Sequence, residues 1–332
     1  MGYDNGAMGG ELAAKVPSPT DETELNAVER TTYPATFFMG MKCGTILAAM
    51  LLFLVGMSPA REPAAKAEIF SSLGCAAKPD SMKQVKESGA DFVTVSTADF
   101  LCPEQSEEVF EKNLAKAREA GLQVLACNGF LQKGKHTVVG PESQHDAAVA
   151  WAEIVCRRLA KAGGKFVVFG SSSARRIPKD WTKEQADEQM VALLKRLGPV
   201  AEKHGVTIVV EQLRKEECNF LNHINHLGEL IRKADHPHVK ALADLYHMAS
   251  VGDTPEDLKR NLDVVVQMEI AEKDGRSYPG IKGDDFRPWF RVLAKAGWKG
   301  AINIEGRGEP SQLAPAFREI RKQEAEAIAE GN

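Results

Sequence analysis

Residues 208–220 have the sequence IVVEQLRKEECNF, in which a short apolar run ends on an acid. Ile208, Val209 and Val210 have the β-branched character of a buried strand, and Glu211 follows them directly. A carboxylate inside the dry core of a sheet would be costly unless it were paired. Glu211 therefore predicts a strand whose last residue leaves the core.

The same unit recurs from residue 67 onward: a short apolar run followed by a longer amphipathic segment. Residues 106–121, 147–164 and 183–205 have helical periodicity and end in Gly, as helices often do at their C-caps. A last helix is predicted at about residues 310–328. The eight candidate strands are residues 68–76, 91–97, 122–128, 165–171, 206–211, 239–244, 264–271 and 300–305.

Strict alternation of strands and helices predicts the fold class. It implies parallel pairing, because each helical crossover returns the chain to the same end of the sheet. The repeats extend over about 265 residues, and a TIM barrel typically has ~250. A doubly wound open sheet is the alternative, but the Gly-rich phosphate turn it would favour does not follow residues 68–76. Residues 67–330 are therefore predicted to form an α/β fold, a (β/α)8 TIM barrel.

The first 60 residues differ from the rest of the chain. Residues 1–40 are polar without a sustained period, and we expect them to be disordered or a non-native extension. Residues 41–60 contain a Lys, an apolar stretch from Ile46, and the small residues Ser58 and Ala60, which is the layout of a secretory signal peptide. The apolar run is shorter than the ~20 residues of a bilayer span. We therefore expect an exported protein, periplasmic or extracellular, without stable membrane insertion after signal removal.

Charge and cysteine content exclude several kinds of site. Acidic residues outnumber basic ones by 46 to 42, and there is no basic stripe of the kind that binds nucleic acid. Of the six cysteines, Cys43 falls in the predicted signal, and the other five show no CxxC spacing. Neither a zinc ribbon nor a redox motif is therefore indicated, and these cysteines are expected to be mostly buried small hydrophobes.

Barrel geometry explains the acid at the end of the fifth strand, because TIM-barrel chemistry gathers at the C-terminal ends of the strands. Asp244 ends the sixth strand, Glu269 lies in the seventh and Glu305 ends the eighth. One such acid is usually a salt bridge or a helix cap. Four from consecutive strands would converge, and like charges at close range need compensation. The pattern favours a divalent cation, and oxygen ligands are typical of Mg²⁺ or Mn²⁺ rather than Zn²⁺.

From about residue 68 to 330 the chain resembles the xylose-isomerase-like sugar isomerase/epimerase superfamily. Within it, the chain is most similar to hydroxypyruvate isomerase and the ketose 3-epimerases. The resemblance rests on VEQLRKEECNF, ALADLYHMASVGD, IAEKDGRSYPG and KAGWKGAINIEGRG, in this order and with family-like spacing. VLACNGFL and VVFGSSSARRIP add weaker support. These motifs are specific for the superfamily and only suggestive for a substrate.

The resemblance implies catalytic and metal-binding roles. Glu211 and Glu305 match the two glutamates that bind the metal and exchange protons with the substrate carbon. Asp244 matches the metal-binding aspartate, and Glu269 completes the expected ligand set. Relatives usually carry His or Gln at the position of Glu269, so the metal stays open, with Mn²⁺ or Mg²⁺ expected and Co²⁺ as the alternative.

The predicted substrate-binding residues are Glu217, His247, Arg276, Asn128 and Arg175. The first three match family residues that contact the sugar. Asn128 either hydrogen-bonds the substrate or caps its loop. Arg175 and its neighbour Arg176 either grip a phosphate or sugar acid, or form a surface ion pair.

The implied function is a metal-dependent isomerase or epimerase of a sugar or a small keto or aldo sugar derivative. A glutamate would remove a proton beside the carbonyl, giving a metal-stabilised enediolate. Redelivery to the adjacent carbon isomerises the sugar, and redelivery to the other face of the same carbon epimerises it. Loss of a leaving group instead would make a dehydratase or lyase on a keto-sugar or oxidised glycoside.

Two further alternatives use the same barrel. One is a non-catalytic carbohydrate-binding protein, which the retention of Glu211 and Glu305 argues against. The other is a nuclease of the superfamily, which would need several histidines at strand ends and a basic groove. Export favours free sugars, sugar acids or oxidised glycosides over sugar phosphates. The individual sugar and a homodimeric state stay open.

Overall fold

The computed structural model describes residues 68–331, in which eight strands alternate with α-helices. The strands are β1 (Phe70–Ala76), β2 (Phe92–Ser96), β3 (Gln123–Asn128), β4 (Phe166–Phe169), β5 (Thr207–Glu211), β6 (Val239–Asp244), β7 (Val265–Ile270) and β8 (Gly300–Ile304). The helices are α1 (Met82–Glu87), α2 (Glu107–Glu119), α3 (His145–Lys161), α4 (Lys183–Lys203), α5 (Ile224–Ala234), α6 (Leu245–Val251), α7 (Pro255–Lys259), α8 (Arg287–Lys295) and α9 (Leu313–Gly331). Each predicted strand is present, with ends that differ from the prediction by two residues at most. The predicted extension and signal peptide, residues 1–40 and 41–60, lie outside the described residues.

The sheet closes on itself because β8 pairs with β1. Neighbouring strands follow chain order from β1 to β8, and their pairs are parallel. Closure excludes the doubly wound open sheet, so the predicted (β/α)8 TIM barrel is confirmed. The carboxyl ends of all eight strands therefore open at one mouth.

The larger hydrophobic core lies between the strands and the surrounding helices. Each long helix presents an apolar face to this core, since its hydrophobic residues recur at helical spacing. In α3 the buried face includes Trp151, Val155 and Leu159. The fold is thus held by contacts on the outer face of the barrel, which leaves the inner face at the mouth available for polar residues.

A smaller hydrophobic cluster from β3, β4, β5 and β6 forms inside the barrel. It consists of Ala126, Val168, Val209 and Leu242. Side chains of a strand alternate between its two faces, so residues two positions apart share a face. Glu211 follows Val209 by two positions and Asp244 follows Leu242 by two. Both acids therefore point into the barrel one layer above its apolar filling.

The five cysteines within residues 68–331 are all buried and free, as expected. They are Cys75, Cys102, Cys127, Cys156 and Cys218. Among residues 68–331, no helix has the length and apolar content that crossing a membrane requires.

Candidate active site

Four carboxylates come together at the mouth of the barrel. Glu211 and Asp244 are the last residues of β5 and β6, Glu269 lies in β7, and Glu305 directly follows β8. Asp244 and Glu269 are paired in the β6–β7 register, so their side chains leave the sheet side by side. One oxygen of each of the four carboxylates lies within 4.8 Å of the others. The convergence expected from the sequence is present.

The donor set fits a hard divalent cation. Glu211, Asp244 and Glu269 are at most 5% exposed. Oε1 of Glu211 and Oε2 of Glu269 are buried and have no hydrogen-bond partner among the described residues. Unpaired buried carboxylate oxygens are costly, and a cation that they share would remove that cost. An all-oxygen set of this kind is typical of Mg²⁺ and Mn²⁺ sites.

A glycine makes room for the Glu211 carboxylate. Gly170 directly follows β4, and a Cβ atom at this position would lie 2.3 Å from Oε2 of Glu211. Any side chain larger than hydrogen would therefore displace the carboxylate. This glycine belongs to the GSSSARR motif. It lies against Glu211 because β4 pairs with β5, so the sequence alone does not show this contact.

Asp244 is held by the start of α6. Its Oδ1 accepts a hydrogen bond from the backbone N–H of Tyr246 at 2.7 Å, as an N-cap residue does. Gln212 steadies the same strand end, because its Nε2 donates to the Asp244 carbonyl at 2.9 Å. With Oδ1 engaged by the helix, Oδ2 faces the mouth, where Arg276 contacts it.

Glu269 is the most deeply buried of the four acids, and its position depends on two residues that sequence reasoning missed. Nδ2 of Asn303 in β8 donates to Oε1 of Glu269 at 2.9 Å, and Oγ1 of Thr94 in β2 donates to Oδ1 of Asn303 at 3.0 Å. Burial raises the pKa of Glu269 well above its usual value, and the nearby carboxylates of Glu305 and Glu211 add to the rise. The signal that could have identified Asn303 is its place two residues before Glu305, on the same face of β8.

The pKa of Glu305 is raised in the metal-free site. Burial raises its pKa to about 7, the Glu211 carboxylate adds to the rise, and the Arg276 guanidinium opposes it. Nδ2 of Asn128 donates to Oε1 of Glu305 at 3.2 Å. This pKa belongs to the metal-free site, and a cation bound to the Glu305 carboxylate would lower it.

Arg276 connects the acids across the mouth. Its Nη2 contacts the Glu305 carboxylate and lies 3.2 Å from Oδ2 of Asp244, while its Nε donates to the Glu305 carbonyl at 2.9 Å. The guanidinium also lies 4.8 Å above the Tyr246 ring. Burial opposes its charge, but the carboxylates of Glu305 and Asp244 outweigh burial and raise the pKa of Arg276. Arg276 therefore stays charged and offsets part of the acidic cluster.

His247 faces the same cluster with a defined tautomer. Its Nδ1 accepts the backbone N–H of Arg214 at 3.2 Å, so the neutral ring carries its proton on Nε2. Nε2 lies 3.4 Å from Glu211 and 3.5 Å from Asp244, with no hydrogen-bond partner among the described residues. Burial lowers its pKa, but Asp244 and Glu211 outweigh this, and the net pKa is raised.

A cavity of about 160 Å³ opens above these residues. It is lined by Asn128, Gly129, Val168, Gly170, Ser171, Ser172, Glu211, Leu213, Glu217, His247, Arg276 and Glu305. Six of the residues proposed from sequence are in this lining. Asp244 and Glu269 are not, although their carboxylates lie within 4.8 Å of those of Glu211 and Glu305. Glu217 stands at the rim, where its Oε1 accepts from Nε of Arg214 at 2.9 Å and its Oε2 lies 4.0 Å from His247.

Arg175 does not line this cavity. It is completely buried, and its Nη2 donates to the backbone carbonyl of Glu211 at 2.6 Å. Burial lowers the pKa of Arg175. The structure therefore places this guanidinium behind the end of β5, where it supports the backbone of Glu211 and makes no surface ion pair.

Comparison with known proteins identifies the family of the chain. Residues 82–330 match the family model described as xylose isomerase-like TIM barrel. The 3-dehydro-D-guloside 4-epimerase of Escherichia coli (strain K12) is 27% identical over 250 residues, which are 72% of this chain and 91% of that protein. A Danio rerio protein provisionally named hydroxypyruvate isomerase is 24% identical over 175 residues, 51% of this chain and 61% of its own length.

A solved structure agrees at the level of the fold. D-psicose 3-epimerase from Clostridium cellulolyticum H10, crystallised with D-tagatose, superposes with a TM-score of 0.63 at 18% identity, covering 78% of this chain and 98% of that one. The resemblance stated from the sequence motifs is confirmed, and these relatives support an enzyme of the isomerase and epimerase type. With its closed barrel and its family-model match over most of its length, this chain belongs to the xylose isomerase-like TIM-barrel family.

Proposed function

We propose that this protein is a metal-dependent isomerase or epimerase that acts on a neutral keto-sugar or a glycoside oxidised to a ketone. The observation that carries the proposal is the convergence of four carboxylates at the barrel mouth, two of which, Glu211 and Glu305, also line the cavity. The name of the Escherichia coli relative, 3-dehydro-D-guloside 4-epimerase, supports a keto-glycoside as substrate and epimerisation as the reaction.

The ion would be held by Glu211, Asp244, Glu269 and Glu305. Mn²⁺ or Mg²⁺ fits this oxygen-only set best, with Co²⁺ as the alternative. When bound, such an ion polarises a carbonyl and makes the neighbouring C–H more acidic.

The side chains of this chain supply the proton transfers. Glu211 and Glu305 act as a pair: one removes the proton beside the carbonyl, and a glutamate then returns a proton. Return to the other face of the same carbon epimerises, and return to the adjacent carbon isomerises. In the metal-free site burial raises the pKa of Glu305 to about 7, and a bound cation would lower it, which favours the carboxylate form that acts as a base.

The remaining polar residues of the cavity bind and orient the sugar. Nε2–H of His247 has no hydrogen-bond partner among the described residues and can donate to a substrate oxygen. Asn128, Glu217 and Arg276 also line the cavity and offer groups for hydroxyls. Arg175 acts from behind the strand, where it holds the backbone of Glu211.

Paired cations support a neutral substrate. Arg276 already contacts Asp244 and Glu305, and Nε of Arg214 donates to Glu217 at 2.9 Å. A phosphate or carboxylate on the substrate would meet no free guanidinium among the described lining residues, and it would face carboxylates of the same sign. We therefore expect sugar phosphates and uronic acids to bind at least about tenfold more weakly than their neutral counterparts, a difference of roughly 1.4 kcal/mol.

The test follows exchange of the substrate proton with solvent. A panel of keto-sugars and keto-glycosides is incubated in D₂O with the purified protein, whose metal content is measured first. Glu211→Gln and Glu305→Gln should each slow deuterium incorporation by roughly 100-fold or more, since general-base catalysis contributes about that much. Glu216→Gln is the matched control, because this neighbouring acid is 71% exposed and outside the cavity.

Two results would refute the proposal: a purified protein that holds no divalent metal and is indifferent to chelators, or exchange that continues unchanged in Glu211→Gln. Retained binding of a sugar without any exchange in the wild-type protein would instead favour the non-catalytic carbohydrate-binding barrel.

We also propose that the protein is exported after cleavage of the signal at residues 41–60. The apolar stretch from Ile46 and the small residues Ser58 and Ala60 support this. The N-terminal residue of the mature protein is then expected to be Arg61. Sequencing of the N-terminus after expression in a bacterial host that exports proteins tests the proposal, and an uncut chain found in the cytoplasm would contradict it.

A further inference from the structure

The loop between β7 and α8 is organised by one buried carboxylate. Glu272 is 0% exposed. Its Oε1 accepts backbone N–H groups from Gly280 at 2.8 Å, Gly283 at 2.9 Å and Asp284 at 3.2 Å, and its Oε2 accepts that of Lys282. A carboxylate that collects four amide donors closes the loop into a ring around itself.

This ring contains Arg276, which has a strained backbone. Arg276 adopts a φ of +52°, a left-handed conformation that is unfavourable for a residue with a Cβ. Such a conformation persists only where the surroundings impose it. The backbone N–H of Glu272 donates to the Ser277 carbonyl at 2.8 Å, which closes the turn around Arg276 from the Glu272 side.

The segment after β8 holds the same turn from the opposite side. The N–H of Arg307 donates to the Arg276 carbonyl at 2.7 Å. A Cβ atom on Gly306 would lie 2.9 Å from that carbonyl oxygen, so the two segments approach as closely as a glycine allows. The backbone of Arg276 is thus fixed between the ring around Glu272 and the chain that leaves Glu305.

We propose that Glu272 is a positioning residue that acts through Arg276. Its carboxylate imposes the loop conformation from which the guanidinium reaches Asp244 and Glu305. Glutamine cannot replace it fully, because the amide NH₂ would face the N–H of Lys282 where an oxygen now accepts it. The kinetic part of this proposal rests on the proposed function, whereas the placement of Arg276 can be tested without any turnover.

The first experiment observes the Arg276 side chain directly. In the wild-type protein the Nε–H of Arg276 donates to the Glu305 carbonyl at 2.9 Å. This proton should therefore exchange slowly with solvent, and its NMR signal reports the rate. The signal is assigned by its loss in Arg276→Ala. Glu272→Gln should speed its exchange by at least about tenfold, since each 1.4 kcal/mol of lost protection corresponds to tenfold. Asp274→Asn is the matched control, because this acid of the same loop is 76% exposed and should leave the signal unchanged.

The second experiment is a double-mutant cycle on kcat/KM and on thermal stability. If Glu272 acts through Arg276, Glu272→Gln lowers kcat/KM about tenfold in the wild type but by less than about twofold in the Arg276→Ala background. If Glu272 has a purely structural role, Glu272→Gln should lower the Tm by the same amount in both backgrounds, and it should lower kcat/KM by the same factor in both.

The outcomes separate the two proposals. An unchanged Arg276 signal in Glu272→Gln, or equal losses of kcat/KM in both backgrounds, overturns the positioning role. If Glu272→Gln accelerates the exchange but the wild-type protein shows no turnover, the positioning role is supported. The missing turnover then counts against the proposed function alone. If Glu272→Gln does not fold, Glu272→Asp keeps the charge but shortens the side chain, so it should lose part of the four amide contacts and speed exchange of the same N–H. Unchanged exchange in that variant overturns the proposal.

Discussion

At the residue scale, Glu269 is the position that most distinguishes this site. It lies opposite Asp244 on β6 and opposite Asn303 on β8, so both neighbouring strands present polar side chains to it. The resemblance to the family led to the expectation of His or Gln at this position. A carboxylate there adds a fourth anionic oxygen donor, which makes the set harder and more anionic than one containing an imidazole.

Glu269→His is predicted to change the metal preference of the site. An imidazole nitrogen favours Co²⁺ and Zn²⁺ over Mg²⁺, so the ratio of Mg²⁺ to Co²⁺ affinity should fall at least about tenfold. Competition titration of the metal-free protein measures this ratio without reference to activity. Glu256→His, at a side chain that is 63% exposed on α7, is the control. An unchanged ratio of Mg²⁺ to Co²⁺ affinity would show that Glu269 is not a metal ligand.

At the element scale, the end of β4 shapes the site through the absence of a side chain. Gly170 lies beside β5, whose last residue is Glu211, and β4 and β5 are paired from Phe166 to Phe169. Because β4 ends at Phe169 and Gly170 has no side chain, space remains there for the Glu211 carboxylate. Arg175 then anchors the carbonyl of Glu211 from the loop that β4 leads into.

Gly170→Ala is predicted to weaken metal binding while the barrel stays folded. The added Cβ would lie 2.3 Å from Oε2 of Glu211, so the carboxylate must move away from the cluster. We expect a loss of about tenfold in Mn²⁺ affinity, measured by titration. Gly300→Ala is a matched control at the other end of the barrel, where the Cβ would lie 2.3 Å from the Trp298 ring. It should lower the Tm without changing Mn²⁺ affinity, and equal losses of affinity in both variants would contradict the prediction.

At the scale of the whole molecule, the barrel brings several acidic groups together at its mouth. Their proximity and burial shift their pKa values, which makes the stability of the fold depend on pH. Burial and Glu211 raise the pKa of Glu305 from 4.5 to about 7. Between these two pH values the folded, metal-free protein binds more protons than the unfolded chain, so the free energy of unfolding falls as the pH rises. The raised pKa values of Glu269 and His247 act in the same direction.

The carboxyl groups of the mouth are therefore predicted to lower the thermal stability of the metal-free protein as the pH rises from about 4.5 to about 7. Saturating Mn²⁺ should reverse the trend, because metal binding needs deprotonated ligands and strengthens with pH. Melting curves with and without a chelator measure both slopes. Glu305→Gln should flatten the metal-free slope, and Glu216→Gln should not. The lowered pKa values of His136 and His226 act in the opposite direction, so the change in slope is the decisive quantity. Equal metal-free slopes in the wild type and Glu305→Gln would refute the assignment of a raised pKa to Glu305.

The sequence by itself determined the order and kind of the elements. Apolar runs of strand length, helical periodicity and glycines at helix ends are local features, and all eight strands follow from them. Four of the acids were identifiable for the same reason, since each stands at or near the end of such a run. The resemblance of the surrounding motifs to the family then assigned expected roles to Glu217, His247 and Arg276.

Only the tertiary structure decided which residues support those acids. Thr94, Asn303 and Glu269 come from three strands, and the β7–β8 register places Glu269 opposite Asn303. Local periodicity carries no information about register between strands or about loop closure. For the same reason the sequence could not show that Arg175 lies behind Glu211 while Arg276 lies among the carboxylates. Strand pairing and loop closure depend on contacts between residues distant in the chain, and those contacts exist only once the barrel has closed.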